Sequence, residues 1–381
     1  MTRRSRLVAR AATTVLALLA VTAPAVAAAA PVPPSPSPSS PSVQQRLDAL
    51  VADLGVPGAL ATVRDQHGRS TSVGAGVGDL AGGVPVPVDG EVRVGSNTKT
   101  FVAVVVLQLV AEGRVRLDRD IDFYLPGLVR GDGIDGRDIT VRHLLQQTSG
   151  LPNYSEYLGE EVRHFEPREL LDLALRHPAA FPPGDGWQYS NTNYLLAGLL
   201  VERVTGHGLA QELDTRIVQR LGLRHTYFPA PGETALRGPH PHGYYRDGAD
   251  LLDVTGIDPS WAWAAGQLVS TNADLNTFFA ALLTPGRLLP APQLAQMRAH
   301  TVPADATFGP GARYGLGLVS RPLTCGGLYW GHGGSFPGYE TRGGATANGR
   351  AAGVAVTEQL TTPAARARLD ALVDTALCTD R

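Results

Sequence analysis

Lysine is almost missing from this chain: of its 33 Lys and Arg residues one, Lys99, is a lysine. Codon drift in a GC-rich genome exchanges lysine for arginine wherever a positive charge is all that is required. Position 99 therefore calls for something a guanidinium cannot supply. Arginine stays protonated in proteins, whereas a lysine amine can be driven neutral by its surroundings and then accept a proton. Other scarcities exclude whole classes of role. The formal charge is −2, with no basic stripe, and it falls to −6 once Arg3, Arg4, Arg6 and Arg10 are removed, which argues against nucleic acid as a partner. No G-x-S-x-G elbow is present, which argues against an α/β-hydrolase. The sequence "HPH" at His240–His242 has no placed third ligand, so no metal site is expected. There is no tandem repeat, and the apolar run from Ala11 to about Val21 is too short to span a membrane.

What is there begins with a leader. Four arginines, the apolar run and the small residues at Ala25–Ala30 read as a cleaved export signal over residues 1–30. Residues 31–42, "PVPPSPSPSSPS", form a Pro/Ser tether that cannot bury surface. A folded domain is expected over 43–381, secreted, with no hydrophobic tail to anchor it. Its two cysteines, Cys325 and Cys378, can close one disulfide outside the cytoplasm.

Periodicity gives an α+β class. Residues 59–80 alternate around a polar turn at Asp65–Gly68, and Asn348-Gly349 joins two strand-like runs, the strongest short hairpin signal. Helical spacing marks "VQQRLDALVADLG" with a stop at Gly55, and a last helix with Leu369, Leu372, Val373 and Leu377 on one side. Between them lie helical patterns: "TVRHLLQQTSG" with a Thr140 cap and a Gly150 stop, "EPRELLDLALRH", "TNYLLAGLLVERVTG", "GLAQELDTRIVQRLG" and "TNADLNTFFAALL". The expected architecture is an antiparallel sheet built from both chain ends (43–115 and 320–381), flanked by helices, with a mainly helical insertion over 116–319. A cleft between the two parts is the natural place for chemistry.

Three polar stretches carry that chemistry. Ser96 and Lys99 in "SNTK" are three apart at a helix start, within mutual reach, and a partly desolvated amine can take the serine proton. The bland alternative is a capping serine followed by a solvated lysine. Tyr189-Ser190-Asn191 precedes another helix; a phenol near a cation can move protons, and an amide can hold both a lysine and a carbonyl. His332-Gly333-Gly334 leads into a strand, where glycines let a substrate backbone approach.

Taken in order, "SNTK", "YSN" and "HGG" resemble the motifs of the serine β-lactamase and penicillin-binding protein superfamily. The tyrosine in the second motif places the likeness in the class C β-lactamase-like branch, nearest to secreted serine D-alanyl-D-alanine carboxypeptidases. It extends through "TSGL", "LVSTNADLNTFFAALL", "PAPQLAQM", "YGLGL" and the two late cysteines. The resemblance implies a β-lactamase/transpeptidase-like fold and an acyl-enzyme on Ser96. It makes Lys99 and Tyr189 share the base and acid work, and has Asn191 bind the acyl-side amide. His332 supports the tyrosine relay, the N–H groups of Ser96 and Ser335 form an oxyanion hole, and Trp261 lines the cleft, with Trp263 the alternative. No cofactor is implied. The substrate is a small peptide, β-lactam or ester, and the chain is expected to be a monomer.

Two departures bear on specificity. Relatives that release terminal D-alanine read "HTG", and their threonine helps hold the substrate carboxylate; here Gly333 takes its place. Counting back from Cys325, Val319 falls where such relatives carry a carboxylate-binding arginine. Arg321, two residues on and on the same strand face, is the expected substitute. The rivals are an esterase or amidase without carboxylate recognition, a β-lactamase, and a non-catalytic penicillin-binding sensor.

Overall fold

The computed structural model describes residues 42–159 and 163–379, all within one compact unit, Pro41–Arg381. The leader expected over 1–30, and the Pro/Ser tether up to residue 41, lie outside the described residues. Ser42 does not belong to a tether: its Oγ accepts from Gln45 N–H while Gln45 Oε1 accepts from Ser42 N–H, a reciprocal cap that starts the first helix.

The alternating stretches at the two chain ends meet in one sheet. Its strands are β1 (Gly58–Arg64), β2 (Ser70–Asp79), β3 (Val84–Pro85), β4 (Val302–Pro303), β5 (Arg313–Tyr314), β6 (Val319–Pro322), β7 (Leu328–Phe336), β8 (Tyr339–Thr346) and β9 (Ala351–Val356). They lie in the order β4-β5-β6-β7-β8-β9-β1-β2-β3, antiparallel throughout. The seam between the chain ends is β1 on β9, with Ala59 opposite Val356 and Arg64 opposite Ala351.

Of the helices, those that matter for the site and its support are α1 (Val43–Leu54), α2 (Asn97–Ala111), α3 (Val141–Gln146), α4 (Pro167–Leu175), α5 (Asn191–Thr205), α6 (Asn272–Leu282) and α7 (Pro363–Cys378). The sheet is covered on both faces, and its central strands read apolar on both sides accordingly. Ala59, Ala61, Val354 and Val356 face α1 and α7, where Leu47, Leu50, Leu369, Leu372, Val373 and Leu377 close one core. Leu60 and Ala355 face the other way, into the larger core that holds α2, α5 and α6. Helix α2 is apolar all round, buried from Asn97 to Leu109, and its Phe101 stacks on Phe278 of α6 at 3.7 Å. Each fully buried Val, Leu or Phe there contributes about 2 kcal/mol, so the first turn of α2 is rigidly held.

The segment expected to be mainly helical also lends short strands to the sheet: β4 and β5 fall inside 116–319, and β6 spans the boundary at 320. These strands are too short to show a period of two. Helix α3 does not stop at Gly150 but at Gln147, which adopts the left-handed conformation with φ 66°. Gly150 serves closeness instead, since a Cβ there would lie 2.0 Å from Phe181 O.

Candidate active site

The N-terminus of α2 is pressed against strand β7 by two glycines. A Cβ on Gly95 (φ 49°) would meet Ser335 O at 2.6 Å, and one on Gly334 would meet Val94 O at 1.9 Å. Only residues without side chains allow this approach. Asn97 Nδ2 donates to Val94 O (2.9 Å) and to Thr341 Oγ1 of β8 (2.8 Å), which locks the turn to the sheet. Ser96 has helical torsions and makes no capping bond. Its Oγ instead lies 2.9 Å from Lys99 Nζ, so the pair is not a surface cap with a solvated lysine.

Lys99 is wholly buried. Its Nζ also lies 2.7 Å from Asn191 Oδ1 and 2.7 Å from Ala265 O, two oxygens that can only accept. Among the described residues no carboxylate pairs with it, and burial drives its pKa well below the ordinary lysine value. A neutral amine has two N–H bonds and one lone pair. With both N–H bonds given to the carbonyls, the lone pair faces the Ser96 hydroxyl. Arginine offers no such lone pair.

The second motif is held by Gln147, which sequence reasoning passed over. Its side-chain Oε1 accepts from Ser190 N–H (2.9 Å) and Asn193 Nδ2 (2.6 Å), and its carbonyl accepts from Gln188 N–H (3.1 Å). The left-handed backbone at Gln147 turns both groups toward the Tyr189 loop. Asn191 Nδ2 donates to Ser155 Oγ (3.1 Å), which fixes its amide so that Oδ1 meets Lys99. The Tyr189 ring lies 4.8 Å from Lys99 Nζ and packs edge-on to Phe308 and Tyr314. Burial, reinforced by Tyr314, raises its pKa well above 10, against a hydrogen bond with Ser96. The phenol therefore keeps its proton.

On β7, His332 Nδ1 bonds to Gly333 O at 2.5 Å, leaving Nε2 buried and unpartnered among the described residues. Burial lowers the His332 pKa to about 3, so the ring is neutral. Its centroid is 6.3 Å from that of Tyr189, and among the described residues no hydrogen bond joins the two side chains.

Ser96, Tyr189, Asn191, Trp261, His332, Gly333, Gly334 and Ser335 line one cavity of about 410 Å³. Trp261 stacks on Phe336 at 5.3 Å, whereas Trp263 lines a separate cavity behind α5. Arg321 is not on this wall. It pairs with Asp370 of α7 and borders a small neighbouring recess. The cations on the wall are Arg342 of β8 and Arg366 of α7. A hairpin reading across Pro337-Gly338 would have put Arg342 opposite Gly333. Cys325 and Cys378 form a disulfide that ties the β6–β7 turn to the end of α7. Elsewhere His242 pairs with Asp253 and His240 with Gly238 O; among the described residues no cluster of His, Cys, Asp or Glu could hold a metal.

The profile of the Beta-lactamase family matches residues 43–377. Esterase EstB of Burkholderia gladioli is 31% identical over 320 residues, 74% of this chain and 80% of its own. A putative D-alanyl-D-alanine carboxypeptidase of Salmonella enteritidis is 28% identical over 279 residues, 62% of this chain and 63% of its own. Among solved structures, a D-stereospecific amidohydrolase from Streptomyces sp. superposes with a TM-score of 0.79 and 38% identity, covering 89% of this chain and 98% of that one. The D-amino acid amidase of Ochrobactrum anthropi gives 0.79 and 28%, covering 88% and 96%.

Proposed function

The chain belongs to the beta-lactamase family of serine hydrolases, and from that premise we propose that it cleaves amide bonds next to D-amino acids through an acyl-enzyme on Ser96, with D-alanyl-D-alanine peptides of the cell wall as its substrates. The observation that carries this reading is Lys99: wholly buried, with Nζ 2.7 Å from both Asn191 Oδ1 and Ala265 O and 2.9 Å from Ser96 Oγ. The steps follow from it. Lys99 Nζ takes the hydroxyl proton as Ser96 Oγ attacks the carbonyl carbon. The oxyanion is held by the N–H groups of Ser96 and Ser335, each worth a few kcal/mol in the transition state. As the C–N bond breaks, Tyr189 gives its proton to the departing nitrogen and recovers one from the Lys99 ammonium. Water then repeats the sequence in reverse and releases the acid. Asn191 keeps Lys99 in register throughout and offers its Nδ2 side, with Ser155, to the acyl-side amide.

A second reading, an amidase or esterase for small neutral substrates, is favoured by Gly333 and by the engagement of Arg321 with Asp370. The leader, the disulfide and the substrate class support export. Assembly of the whole constellation from one chain supports a monomer, which size-exclusion chromatography tests. To test the main reading, the intact mass is measured after brief incubation with penicillin, beside a Ser96→Ala control, and D-alanine release from N-acetyl-D-alanyl-D-alanine is followed in parallel. A Ser96-dependent adduct together with D-alanine release is expected. Ester turnover with neither would establish the second reading, and penicillin turnover without D-alanine release would establish a β-lactamase.

A further inference from the structure

Gly333 and Arg342 are directly paired across β7 and β8. A Cβ on residue 333 would lie 2.7 Å from Arg342 Nη1, 3.0 Å from its Cδ and 3.1 Å from its Cζ. The Arg342 side chain thus lies in the space that any side chain at 333 would claim, and it emerges on the wall of the Ser96 cavity. The missing side chain at 333 and the cation on the next strand are two halves of one arrangement.

The charges around it do not balance. Arg342 meets Glu340 (2.7 Å) and Asp370 (3.4 Å), Arg366 lies 3.8 Å from Glu340, and Arg321 pairs with Asp370. Three guanidinium groups share two carboxylates. Nη2 of Arg342 and both Nη atoms of Arg366 enter no hydrogen bond among the described residues. Glu340 is fully buried and Arg366 is about one third exposed, so the surplus charge is presented to the cavity and not the reverse.

Position within the cavity says which half of a substrate would meet it. Tyr189, which protonates the departing atom, packs on Phe308, and Phe308 packs on His332 at 5.3 Å. Phe308, His332, Gly333 and Arg342 together line both the main cavity and the recess beside it. The departing group therefore leaves along this side, away from Asn191 and Ser155.

We propose that Arg342, seconded by Arg366, binds a free carboxylate on the departing half of the substrate, so that the preferred leaving group is an amino or hydroxy acid and not ammonia or a neutral alcohol. The proposal rests on the acylation of Ser96 argued above, and it separates a peptidase acting at free C-termini from an amidase.

The test uses two esters of N-acetyl-D-alanine that differ only in the leaving group, D-lactate or D-lactamide, and reads the ratio of their kcat/KM values. The whole enzyme is expected to favour D-lactate at least tenfold. The ratio should fall roughly ten- to hundredfold in Arg342→Gln, as for loss of a charge-assisted bond, with partial recovery in Arg342→Lys. Gly333→Ala, whose methyl group displaces the guanidinium, should lower the ratio as well, and Arg366→Gln about threefold. A ratio near one in the native enzyme, or one unchanged in Arg342→Gln and Gly333→Ala, would overturn the proposal. If neither ester is cleaved, the Ser96 reading fails on its own. The carboxylate claim is then read calorimetrically, from binding of N-acetyl-D-alanyl-D-alanine against its C-terminal amide, and equal affinities would overturn it.

Discussion

The two walls of the cleft are built on opposite principles. On the helical wall the reactive amine is fully engaged: Lys99 is shared among Ser96, Asn191 and Ala265, and Asn191 is fixed in turn by Ser155. On the strand wall donors are left over, with three arginines set against two carboxylates. A dry, saturated cluster holds a proton acceptor in one geometry; an under-neutralised one waits for a ligand. On the reading proposed above, proton transfer belongs to groups at the starts of α2 and α5, and leaving-group recognition to β7, β8 and α7.

The sharpest way to break the comparison is Lys99→Arg. It fixes a positive charge in place and removes the lone pair, so acylation by a reactive ester should fall about ten-thousand-fold, read as the rate of the mass increase. Acylation at the native rate would mean that the helical wall works by charge, as the strand wall does. Removing the disulfide acts next. Cys325 and Cys378 are 53 residues apart, and the double serine variant should lose up to about 4 kcal/mol on the loop-entropy model, measured as a lower denaturation midpoint. Because the bond anchors the helix carrying Arg366 and Asp370, mild loosening short of unfolding should erode leaving-group preference before acylation.

The effect spread most thinly is with pH. His332 has its pKa lowered from 6.5 to about 3 by burial. Between those values the unfolded chain binds a proton that the fold refuses. Stability from this group is therefore complete above pH 6.5 and declines as pH falls toward 3, by up to about 1.4 kcal/mol per unit. His332→Gln should flatten that part of the stability curve; an unchanged slope would mean that the ring is charged in the fold.

The helical wall was largely legible in advance because its residues are close in sequence: Ser96 and Lys99 share a helix turn, and Tyr189 and Asn191 share a loop. The terminal hairpins and last helix were legible for the same reason, their patterns being local. Gln147 was not, since nothing in "LLQQTSG" marks a left-handed glutamine that serves a loop some forty residues away. Arg321 was misplaced by a parity argument along one strand, which cannot see that Asp370 arrives from a helix to claim it.

What the sequence by itself determined is the identity of the reactive groups: a lone lysine three residues after a serine, a Tyr-Ser-Asn loop, and glycines where a strand must be approached. It also determined the α+β class, because hydrophobic period is a property of neighbours along the chain. Only the tertiary structure decided the state of those groups and the company they keep. Burial of α2 on every side drives the Lys99 pKa down, and Arg342 reaches the cavity because β8 pairs with β7 in the register that sets it over Gly333. Desolvation and cross-strand register both depend on segments far apart in the chain, so neither can be read from any one of them.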